Sequence, residues 1–532
     1  MDPSLADAPA PTPEALHREK LARAKQGASG RLLSNVDWVR SLPEEEQRRL
    51  HGTIRRKPSR TLSGVAVVAV MTAPARCPHG RCTYCPGGVE NASPQSYTGE
   101  EPSALRGAQF HWDSRAITQH RVETLEAIGH PTSKVEVIVM GGTFPSRPRA
   151  YQSETLRGIY DGLNGSTSAS LDEAIHRNET ARHRMVGLTV ETRPDWCDAR
   201  VLPFLLDAGV TRVEVGVECL HDDVLRAVGR AHDARDVVRA TQEARDRGLK
   251  VCYHLMLGLP GMDPASDLED FRRLWDEPEF RPDMLKIYPT LVLPGTPLFD
   301  DWREGRYSPY DTETAVELLA AMKRRVPPWV RIQRIQREIP SRLVAAGVRA
   351  SNVRQKAIAR LRAEGGACRC LRCREAGRRA TPPPDAFRWG RTEYHAAGGR
   401  EVFFSWEDPA TDTVAGFLRL RYPSGATDGG LDEPVIRELK VVGSEVAVGR
   451  PAGRATDFQH RGFGRALLEG AETEARAAGY SGVYVTSAVG TREYYRAHGY
   501  VRSGPYLRKP FCTGRNESGV PPFEGVSDRG NR

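Results

Sequence analysis

The sequence predicts an α/β protein in which a full or partial βα barrel precedes a smaller α+β domain. Short, apolar, β-branched runs alternate with helical segments over more than half of the chain, which is typical of successive βα units. A linker rich in breakers, TPPPDAF, follows at 381–387. Beyond it, VFFSWED, VAGFLRLRY and VIRELKVVG have the pattern of antiparallel strands, and GVYVTSA follows a helical stretch as a further strand.

Six apolar runs are the predicted strands of the barrel. Each is nearly continuous in apolar character and is bounded by Gly, Pro or charge, as expected for a parallel strand buried on both faces. The runs begin at Gly64, Val135, Val186, Arg212, Lys250 and Met284. In such folds the chemistry lies at the carboxyl ends of the strands, and the segments CPHGRCTYC, GGTF, ETRPD and GLPG occur there.

The composition fits a globular protein with more than one domain. The chain has 532 residues, of which 39% are hydrophobic and 27% charged. No window has the roughly 18 consecutive apolar residues of a membrane span. The opening MDPSLADAPAPTPEALHREK has neither the apolar core nor the cationic start of a signal peptide. We therefore expect a cytoplasmic protein that does not bind membranes.

Positive charge is concentrated in one segment. The chain carries a net charge of +9, but Lys323 to Arg379 alone contains 17 Lys/Arg against 3 Asp/Glu, so the rest is net acidic. A second, short basic run lies at 55–60. Such a local excess indicates a polyanion-binding surface, with a solvated helical surface as the alternative. The pattern from Lys323 to Arg362 predicts mostly helices.

The first cysteine cluster consists of Cys77, Cys82 and Cys85, within nine residues of one another. Thiolates are the usual ligands of iron–sulfur clusters. Three of them could hold a [4Fe–4S] cluster and leave one iron open to chelate S-adenosylmethionine (SAM), the source of a 5′-deoxyadenosyl radical. The alternative is structural zinc with His79 as fourth ligand, which the single-loop placement disfavours.

The second cysteine cluster consists of Cys368, Cys370 and Cys373. Three thiolates suit a structural zinc ion, which usually takes a fourth ligand. His395 is the nearest histidine along the chain and is the candidate for that ligand. A second iron–sulfur cluster is the less favoured alternative. Because this cluster joins the basic segment to the C-terminal domain, we predict a structural role.

The C-terminal domain contains a candidate acyl-CoA site. Glycines at the start of a helix let backbone N–H groups point at a ligand, and the helix N-terminus favours anions, so this segment could cradle a pyrophosphate. The residues of this cradle are Gln459, Arg461, Gly462, Phe463, Gly464 and Arg465. With the strand VIRELKVVG and the later EYYRAHGY, the segment resembles the GNAT acetyltransferase fold. The pantetheine arm would lie along Glu438, Leu439, Lys440 and Val441. Tyr494 and Tyr495 would lie near the thioester, where a phenol could protonate the leaving thiolate; packing in an aromatic core is the alternative.

Long motifs in the same order along the chain resemble a known family. They include RRKPSRTLSGVAVVAVMT, SYTGEEPSALR, KVEVIVMGGTFPS, RPDMLKIYPTLVLPGTPL, PPWVRIQRIQREIPSRLVAAGV and QHRGFGRALLEGAE. They are similar to the catalytic subunit of Elongator in its stand-alone prokaryotic form. The chain departs from that family at Glu218, Ala231 and Lys440, where Gln, Gly and often His are usual.

The resemblance implies a radical-SAM partial TIM barrel joined to a GNAT-type acetyltransferase domain. It implies a [4Fe–4S] cluster, SAM and acetyl-CoA as cofactors, an electron donor, and tRNA as substrate. The deoxyadenosyl radical would abstract hydrogen from the methyl group of acetyl-CoA, and the resulting carbon radical would add to C5 of the wobble uridine. Hydrolysis of the thioester would leave a carboxymethyl group. Self-association into a homo-oligomer stays open.

The resemblance also assigns residues of the barrel. The loop of Gly141, Gly142 and Thr143 would meet the amino group of SAM, although a tight turn alone would also need the glycines. Glu191 and Arg193 would contact SAM or substrate, or form a surface ion pair. Lys134 would contact acetyl-CoA. Lys286 lies mid-strand among apolar residues, and a buried lysine without a partner is costly, so we predict a site residue there.

These predictions divide the chain into five parts. They are an N-terminal tail with helices that could contact tRNA (1–54), the barrel (55–322), the basic helices and cysteine linker (323–387), the acetyltransferase domain (388–511) and a disordered tail (512–532). Two other functions remain open. A protein lysine acetyltransferase with a structural cluster would need an acidic or peptide-shaped groove, and a non-catalytic tRNA-binding module would be expected to lack the cysteines or the glycine loop.

Overall fold

The computed structural model describes residues 61–379, 382–443, 458–459 and 461–511, with a few isolated positions before Gln47. The basic run at 55–60, the predicted C-terminal tail and nearly all of the predicted N-terminal tail lie outside these residues. No helix within them is long and apolar enough to cross a membrane.

Seven parallel strands in sequential order form the first sheet, as a barrel of βα units requires. The strands are β1 (Val65–Met71), β2 (Lys134–Met140), β3 (Arg184–Thr192), β4 (Arg212–Glu218), β5 (Lys250–Leu257), β6 (Met284–Pro289) and β7 (Arg331–Ile335). β1 and β7 are the two edges of the sheet, so the barrel is partial. β4 and β6 are buried along almost their whole length, which explains their continuous apolar patterns.

Helices connect and cover the strands. In chain order they are α1 (Pro102–Gln109), α2 (Ser114–Ala127), α3 (Arg149–Asn164), α4 (Leu171–Asn178), α5 (Leu202–Asp207), α6 (Asp222–Ala227), α7 (Ala234–Asp246), α8 (Pro264–Asp276), α9 (Pro297–Arg303), α10 (Thr312–Arg325), α11 (Val353–Ala363), α12 (Leu371–Arg374), α13 (Phe463–Ala477) and α14 (Arg492–Arg496). Asp233 and Asp263 close capping boxes at the starts of α7 and α8, so the sequence itself fixes where these helices begin.

The six predicted strands are all present, but the seventh corrects the prediction for the basic segment. Residues Arg331–Ile335, predicted as mostly helical, form β7, which pairs with β6. Only α11 and the end of α10 are α-helical between Lys323 and Arg362. The predicted end of the barrel at residue 322 therefore separates β7 from the sheet to which it belongs. Arginines have good helix propensity, but β-sheet pairing and the burial of Ile332 override it here.

The second sheet belongs to the C-terminal domain and is mixed. Its order is β13-β14-β12-β11-β10-β9-β8. The strands are β8 (Arg388–Ala396), β9 (Gly399–Asp408), β10 (Thr413–Tyr422), β11 (Val435–Val441), β12 (Gly482–Val485), β13 (Val501–Ser503) and β14 (Tyr506–Pro510). β11 and β12 are the one parallel pair in this sheet, and they pair only at Val435 and Ile436 of β11. The rest of β11 therefore runs on past the end of β12, while α13 packs on the sheet.

A buried network of charges joins the two domains. Arg437 of β11 donates to Asp283 of the barrel at 2.7 Å and to Glu401 of β9 at 2.7 Å. Arg245 of α7 donates to Glu401 at 2.6 Å, and Arg421 of β10 lies 3.0 Å from the same carboxylate. All five side chains are essentially inaccessible to water. The domains are thus held together by paired charges in a core and not only by the linker.

Candidate functional site

The first cysteine cluster lies in the loop that follows β1, at the carboxyl end of the barrel strands. Cys82 and Cys85 are buried and Cys77 is partly exposed. Cys82 Sγ lies 3.3 Å from His79 Nε2 and 3.9 Å from an Arg230 nitrogen. Burial raises the pKa of Cys77 and of Cys82, and the neighbouring cysteines add to this effect. Thiolates here therefore need a cation, and three thiol donors in one buried loop fit the iron–sulfur cluster that the sequence predicts.

The glycine loop after β2 packs directly against this cysteine loop. Gly141 and Gly142 have φ values of 125° and 96°, and a side chain on Gly141 would meet the Thr72 hydroxyl at 2.3 Å. A Cβ atom on Gly142 would lie 3.7 Å from Cys77 Sγ. The structure therefore brings the predicted SAM-contacting loop to the cluster.

Glu191, at the end of β3, faces the same place. Its carboxylate accepts hydrogen bonds from the Gly141 N–H at 3.4 Å and from the Tyr97 hydroxyl at 3.2 Å. Arg193 pairs with Asp195 at 2.8 Å, but the pair is largely buried and not the surface ion pair that was the alternative. Both predicted residues thus lie beside the cysteine and glycine loops.

A small cavity of about 30 Å³ opens at these strand ends and contains residues that sequence reasoning missed. Its lining includes two tyrosines, two arginines and three carboxylates: Tyr97, Tyr288, Arg334, Arg337, Glu101, Glu191 and Glu338. The Arg337 guanidinium lies 5.3 Å from the Tyr97 ring centroid and 6.0 Å from that of Tyr288. The two arginines belong to β7 and its end. The prediction of helices over this segment hid them, although their motif, QRIQREIP, was visible.

Arg230 is a further residue that sequence reasoning missed. Arg230 contacts Cys82 and also lies 3.4 Å from the Glu218 carboxylate. Glu218 is one of the positions at which the chain differs from the family that it resembles. Glu218 ends β4 with a φ of 68°, a conformation that is uncommon for a residue with a side chain. Arg230 therefore links the unusual Glu218 to a cluster cysteine.

Lys286 is buried, but it is not without a partner. Its ammonium group is paired with Glu214 of β4, which also lies 3.0 Å from His254 Nε2 and 3.4 Å from Arg212. Although burial acts to raise it, the pKa of Glu214 is held well below its usual range, chiefly by Lys286. The premise of an unpaired lysine was therefore wrong. Lys286 is part of an ionic network inside the barrel, next to Tyr288.

The three sulfur atoms of the second cysteine cluster all lie within 4.8 Å of one another. A tetrahedral zinc ion with Zn–S bonds of about 2.3 Å needs sulfurs roughly 4 Å apart, so the donors fit one ion. The structure does not bring His395 to them. It is exposed on β8, because strand alternation turns its neighbour Tyr394 inward. Instead, Lys323 Nζ donates to Cys368 at 3.2 Å and to Cys373 at 3.6 Å.

In the C-terminal domain the start of α13 comes together with β11 and α14. A Cβ atom on Gly464 would lie 3.5 Å from Val441 and 3.3 Å from the Tyr494 hydroxyl. Gly462, with a φ of 84°, immediately precedes the helix. Tyr494 is 40% exposed, whereas Tyr495 is buried in the domain core. Of the two tyrosines, only Tyr494 is accessible to a ligand at this helix start.

The remaining predicted acyl-CoA residues divide between two faces of β11. Leu439 packs against the core under α13. The Glu438 carboxylate instead accepts a hydrogen bond from Arg419 at 2.9 Å. Although burial acts to raise it, the pKa of Glu136 of β2 is lowered to about 2, chiefly by Arg212 and next by Lys440, so Lys440 lies near Glu136. The side chains of Glu438 and Lys440 thus point to the barrel. On the face of β11 that packs under α13, these two residues offer only backbone atoms.

The other predicted positions lie as follows. Lys134 opens β2, two residues from Glu136 and therefore at the barrel end that meets β11. The Gln459 side chain donates to the Ser63 carbonyl at 3.0 Å, ahead of β1. Arg461 is exposed, Phe463 packs among aromatic rings, and Arg465 is exposed and paired with Glu469 at 2.7 Å. The predicted acyl-CoA residues therefore lie at the amino end of the barrel, and the cysteine loop at its carboxyl end.

The partial barrel and its thiol loop are those of a radical SAM protein. A family model described as the Radical SAM superfamily matches residues 72–274, and one described as the Radical_SAM C-terminal domain matches residues 282–363. The second match includes β7, in agreement with the sheet.

Relatives of known name cover nearly the whole chain. The tRNA uridine(34) acetyltransferase of Methanocaldococcus jannaschii is 44% identical over 90% of this chain and 90% of its own length. Human Elongator complex protein 3 is 43% identical over 89% of each chain. The solved structure of an N-terminally truncated Elp3 from Methanocaldococcus infernus superposes with a TM-score of 0.75 at 39% identity, covering 85% of this chain and all of that one. The chain belongs to the Elongator complex protein 3 family.

Proposed function

We propose that this protein modifies the wobble uridine of tRNA, using SAM and acetyl-CoA to build a 5-carboxymethyl group. The observation that carries the proposal is the packing of the cysteine loop against Gly141–Thr143 and Glu191, on the same chain as a glycine-opened helix beside Tyr494. The substrate is supported by the name of the Methanocaldococcus jannaschii relative, tRNA uridine(34) acetyltransferase. The basic segment from Lys323 to Arg379 supplies charge that suits RNA.

The residues of the barrel have distinct parts in this proposal. Cys77, Cys82 and Cys85 would hold a [4Fe–4S] cluster, which together with SAM supplies a 5′-deoxyadenosyl radical when reduced by an external electron donor. The Glu191 carboxylate and the glycine loop offer polar groups for the amino end of SAM. Arg334, which pairs with Glu338 at 3.0 Å, and Arg337 line the cavity among carboxylates, where their guanidinium groups would donate hydrogen bonds to the substrate.

The acyl half binds and releases coenzyme A. The backbone N–H groups around Gly462 and Gly464, at the start of α13, would hold the pyrophosphate. Burial and nearby carboxylates raise the pKa of Tyr494, which keeps its phenol protonated and able to protonate the departing thiolate. In the net reaction, a C–C bond replaces the uridine C5–H and one methyl C–H. The methyl hydrogen would leave on 5′-deoxyadenosine and the C5 hydrogen as a proton, with SAM, cleaved to methionine and 5′-deoxyadenosine, as the two-electron oxidant; water then cleaves the thioester to a carboxylate and free coenzyme A.

The second cysteine cluster would hold a structural zinc ion. Its three sulfurs are spaced for one ion, and the buried Lys323 ammonium offsets the negative charge of the thiolates. In this arrangement a fourth ligand must come from water or from residues that the structure does not describe. Metal analysis of the purified protein is expected to give about one zinc per chain in addition to iron.

Anaerobic reconstitution tests the whole proposal. The iron-loaded protein is incubated with SAM, acetyl-CoA, a strong reductant and tRNA, and the digested nucleosides are analysed by mass spectrometry. We expect 5-carboxymethyluridine only in the complete mixture, and none when any one component is left out. Acetyl-lysine formed on added proteins, with unchanged uridine, would instead support the lysine acetyltransferase alternative.

The acyl half has its own test in Gly464→Val. Because a Cβ atom there already approaches Tyr494 and Val441, a branched side chain is expected to fill the cradle and weaken acetyl-CoA binding at least about tenfold, or by 1.4 kcal/mol. Isothermal titration with acetyl-CoA measures this, and SAM binding should not change. The control is Ala477→Val at the exposed end of the same helix. Equal acetyl-CoA affinity in both variants would place the cofactor elsewhere.

A further inference from the structure

A second cavity lies between α11 and the second cysteine cluster, and it shares no lining residue with the cysteine loop of the barrel or with the start of α13. Its volume is about 210 Å³, and five arginines line it: Arg354, Arg362, Arg372, Arg378 and Arg379. Among the described residues no carboxylate lines it. Like charges are therefore gathered around an open space, which is unfavourable unless an anion enters.

Arg354 shows most clearly that the cavity is built for a ligand. One of its terminal nitrogens donates to the Ile332 carbonyl at 3.0 Å, which fixes the side chain on β7. The other, Nη1, is buried and has no hydrogen-bond partner within the described part of the chain. A buried guanidinium nitrogen without an acceptor is costly, so an acceptor is expected to arrive from outside.

The nearest carboxylate is already engaged. Glu375 pairs with Arg331 and with Arg378, the latter at 2.9 Å. Within the described residues, neither Arg362 nor Arg372 makes a salt bridge. Cys368 and Cys373 form part of the wall, and the negative charge of their thiolates would be offset by Lys323 together with the proposed zinc ion. The cavity therefore keeps an excess of positive charge.

We propose that this arginine cavity binds a backbone phosphate of the tRNA substrate. A guanidinium group can donate two parallel hydrogen bonds to the oxygens of one phosphate, which the ammonium group of lysine does not do. The cavity lies in the segment with the 17 basic residues, so the surrounding field favours a polyanion over a single small ion. The same strand, β7, fixes Arg354 and carries Arg334 into the cavity near the cluster, so a phosphate held here would orient RNA toward that site. This inference rests on the proposed function.

The test is the salt dependence of tRNA binding to the full-length, metal-loaded protein. Each lost phosphate contact is expected to reduce the slope of log K against log salt by about one, which corresponds to roughly tenfold weaker binding at 0.1 M salt. The variants are Arg372→Ala, the double variant Arg354→Gln with Arg372→Ala, and Arg362→Ala, whose side chain is exposed and cannot disturb the core. Arg372→Lys should keep part of the affinity.

The matched control is Arg360→Ala on the opposite face of α11. Arg360 is engaged with Glu317 at 3.1 Å and Glu364 at 2.6 Å, so its removal takes the same charge from the same helix without touching the cavity. Its slope should stay within experimental error of the wild type. Metal content, SAM affinity and acetyl-CoA affinity should be unchanged in every variant, which separates loss of a contact from loss of the fold.

Three results would overturn the inference. The first is an unchanged slope in the Arg372→Ala and Arg362→Ala variants. The second is that millimolar inorganic phosphate stabilises the wild type but not the Arg372→Ala variant, while the two proteins bind tRNA with equal affinity. This result would assign the cavity to a small anion. The third is capture of an acidic peptide by the wild type in place of RNA. Failure of the proposed function is distinguishable, because wild-type protein itself would then not modify tRNA.

Discussion

Replacing Cys82 by alanine is expected to abolish uridine modification while leaving the protein folded. Two thiolates cannot hold the three irons that three cysteines hold, so the cluster should be lost. Iron content, release of 5′-deoxyadenosine from SAM and carboxymethyluridine should all fall to background. The circular dichroism spectrum and acetyl-CoA affinity should stay close to wild type, because the acyl-CoA residues lie at the other end of the barrel.

Cys197→Ala is the matched control for this experiment. Cys197 is fully buried, its sulfur lies 3.9 Å from the Ala240 carbonyl, and it belongs to neither cysteine cluster. Its removal should cost some stability but leave iron content and modification in place. Modified uridine formed by the Cys82→Ala protein would refute the radical mechanism.

Replacing Asp283 by asparagine is expected to be the most destabilising of the conservative changes considered. Asp283 is fully buried and receives two hydrogen bonds from Arg437, at 2.7 and 2.8 Å, with Arg245 at 3.3 Å. Asparagine has nearly the same shape but no charge, so buried arginines lose their counter-charge. Removing one partner of a buried ion pair costs about 3–5 kcal/mol. Urea unfolding monitored by tryptophan fluorescence measures it.

The comparison variant is Asp276→Asn, at the exposed end of α8. Asp276 pairs with Arg272 on the surface, so its loss should cost no more than about 0.5 kcal/mol. Equal stability of the two variants would show that the buried network contributes nothing to joining the domains.

The pH dependence of stability gives an independent check on Asp283. Burial acts to raise its pKa, but Arg245, Arg437 and Arg419 together lower it below the ordinary value. The unfolded state therefore takes up the proton more readily than the folded state. The stabilisation is fully present above the unfolded pKa of about 3.9 and is lost as the pH falls through the lower folded value. The Asp283→Asn variant should lack this part of the acid sensitivity.

Local patterns were sufficient where the structure depends on local sequence. The six apolar runs predicted six strands, because a strand buried on both faces must be apolar along its length. The spacing of Cys77, Cys82 and Cys85 and of Gly141 to Thr143 predicted two loops that the structure packs together. The resemblance carried by ordered motifs gave the family, which the relatives confirm.

Predictions failed where a residue's role depends on a distant partner. His395 was chosen for its nearness along the chain, but strand alternation turns it outward, and Lys323, 45 residues before Cys368, takes the place beside the sulfurs. β7 was missed because its arginines favour helix while its pairing with β6 decides the outcome. Hence Arg334 and Arg337 were missed as well.

By itself, the sequence determined the barrel, the C-terminal domain, the two cysteine clusters and the family, because each depends on periodicity or spacing within a short segment. Only the tertiary structure decided which charges are paired. Lys286 meets Glu214 from 72 positions away, and Arg437 meets Asp283 from 154 positions away. Ion pairs depend on distances of a few ångströms between atoms that only the folded sheets bring together, so the pairing of Lys286 could not be predicted from its neighbours along the chain.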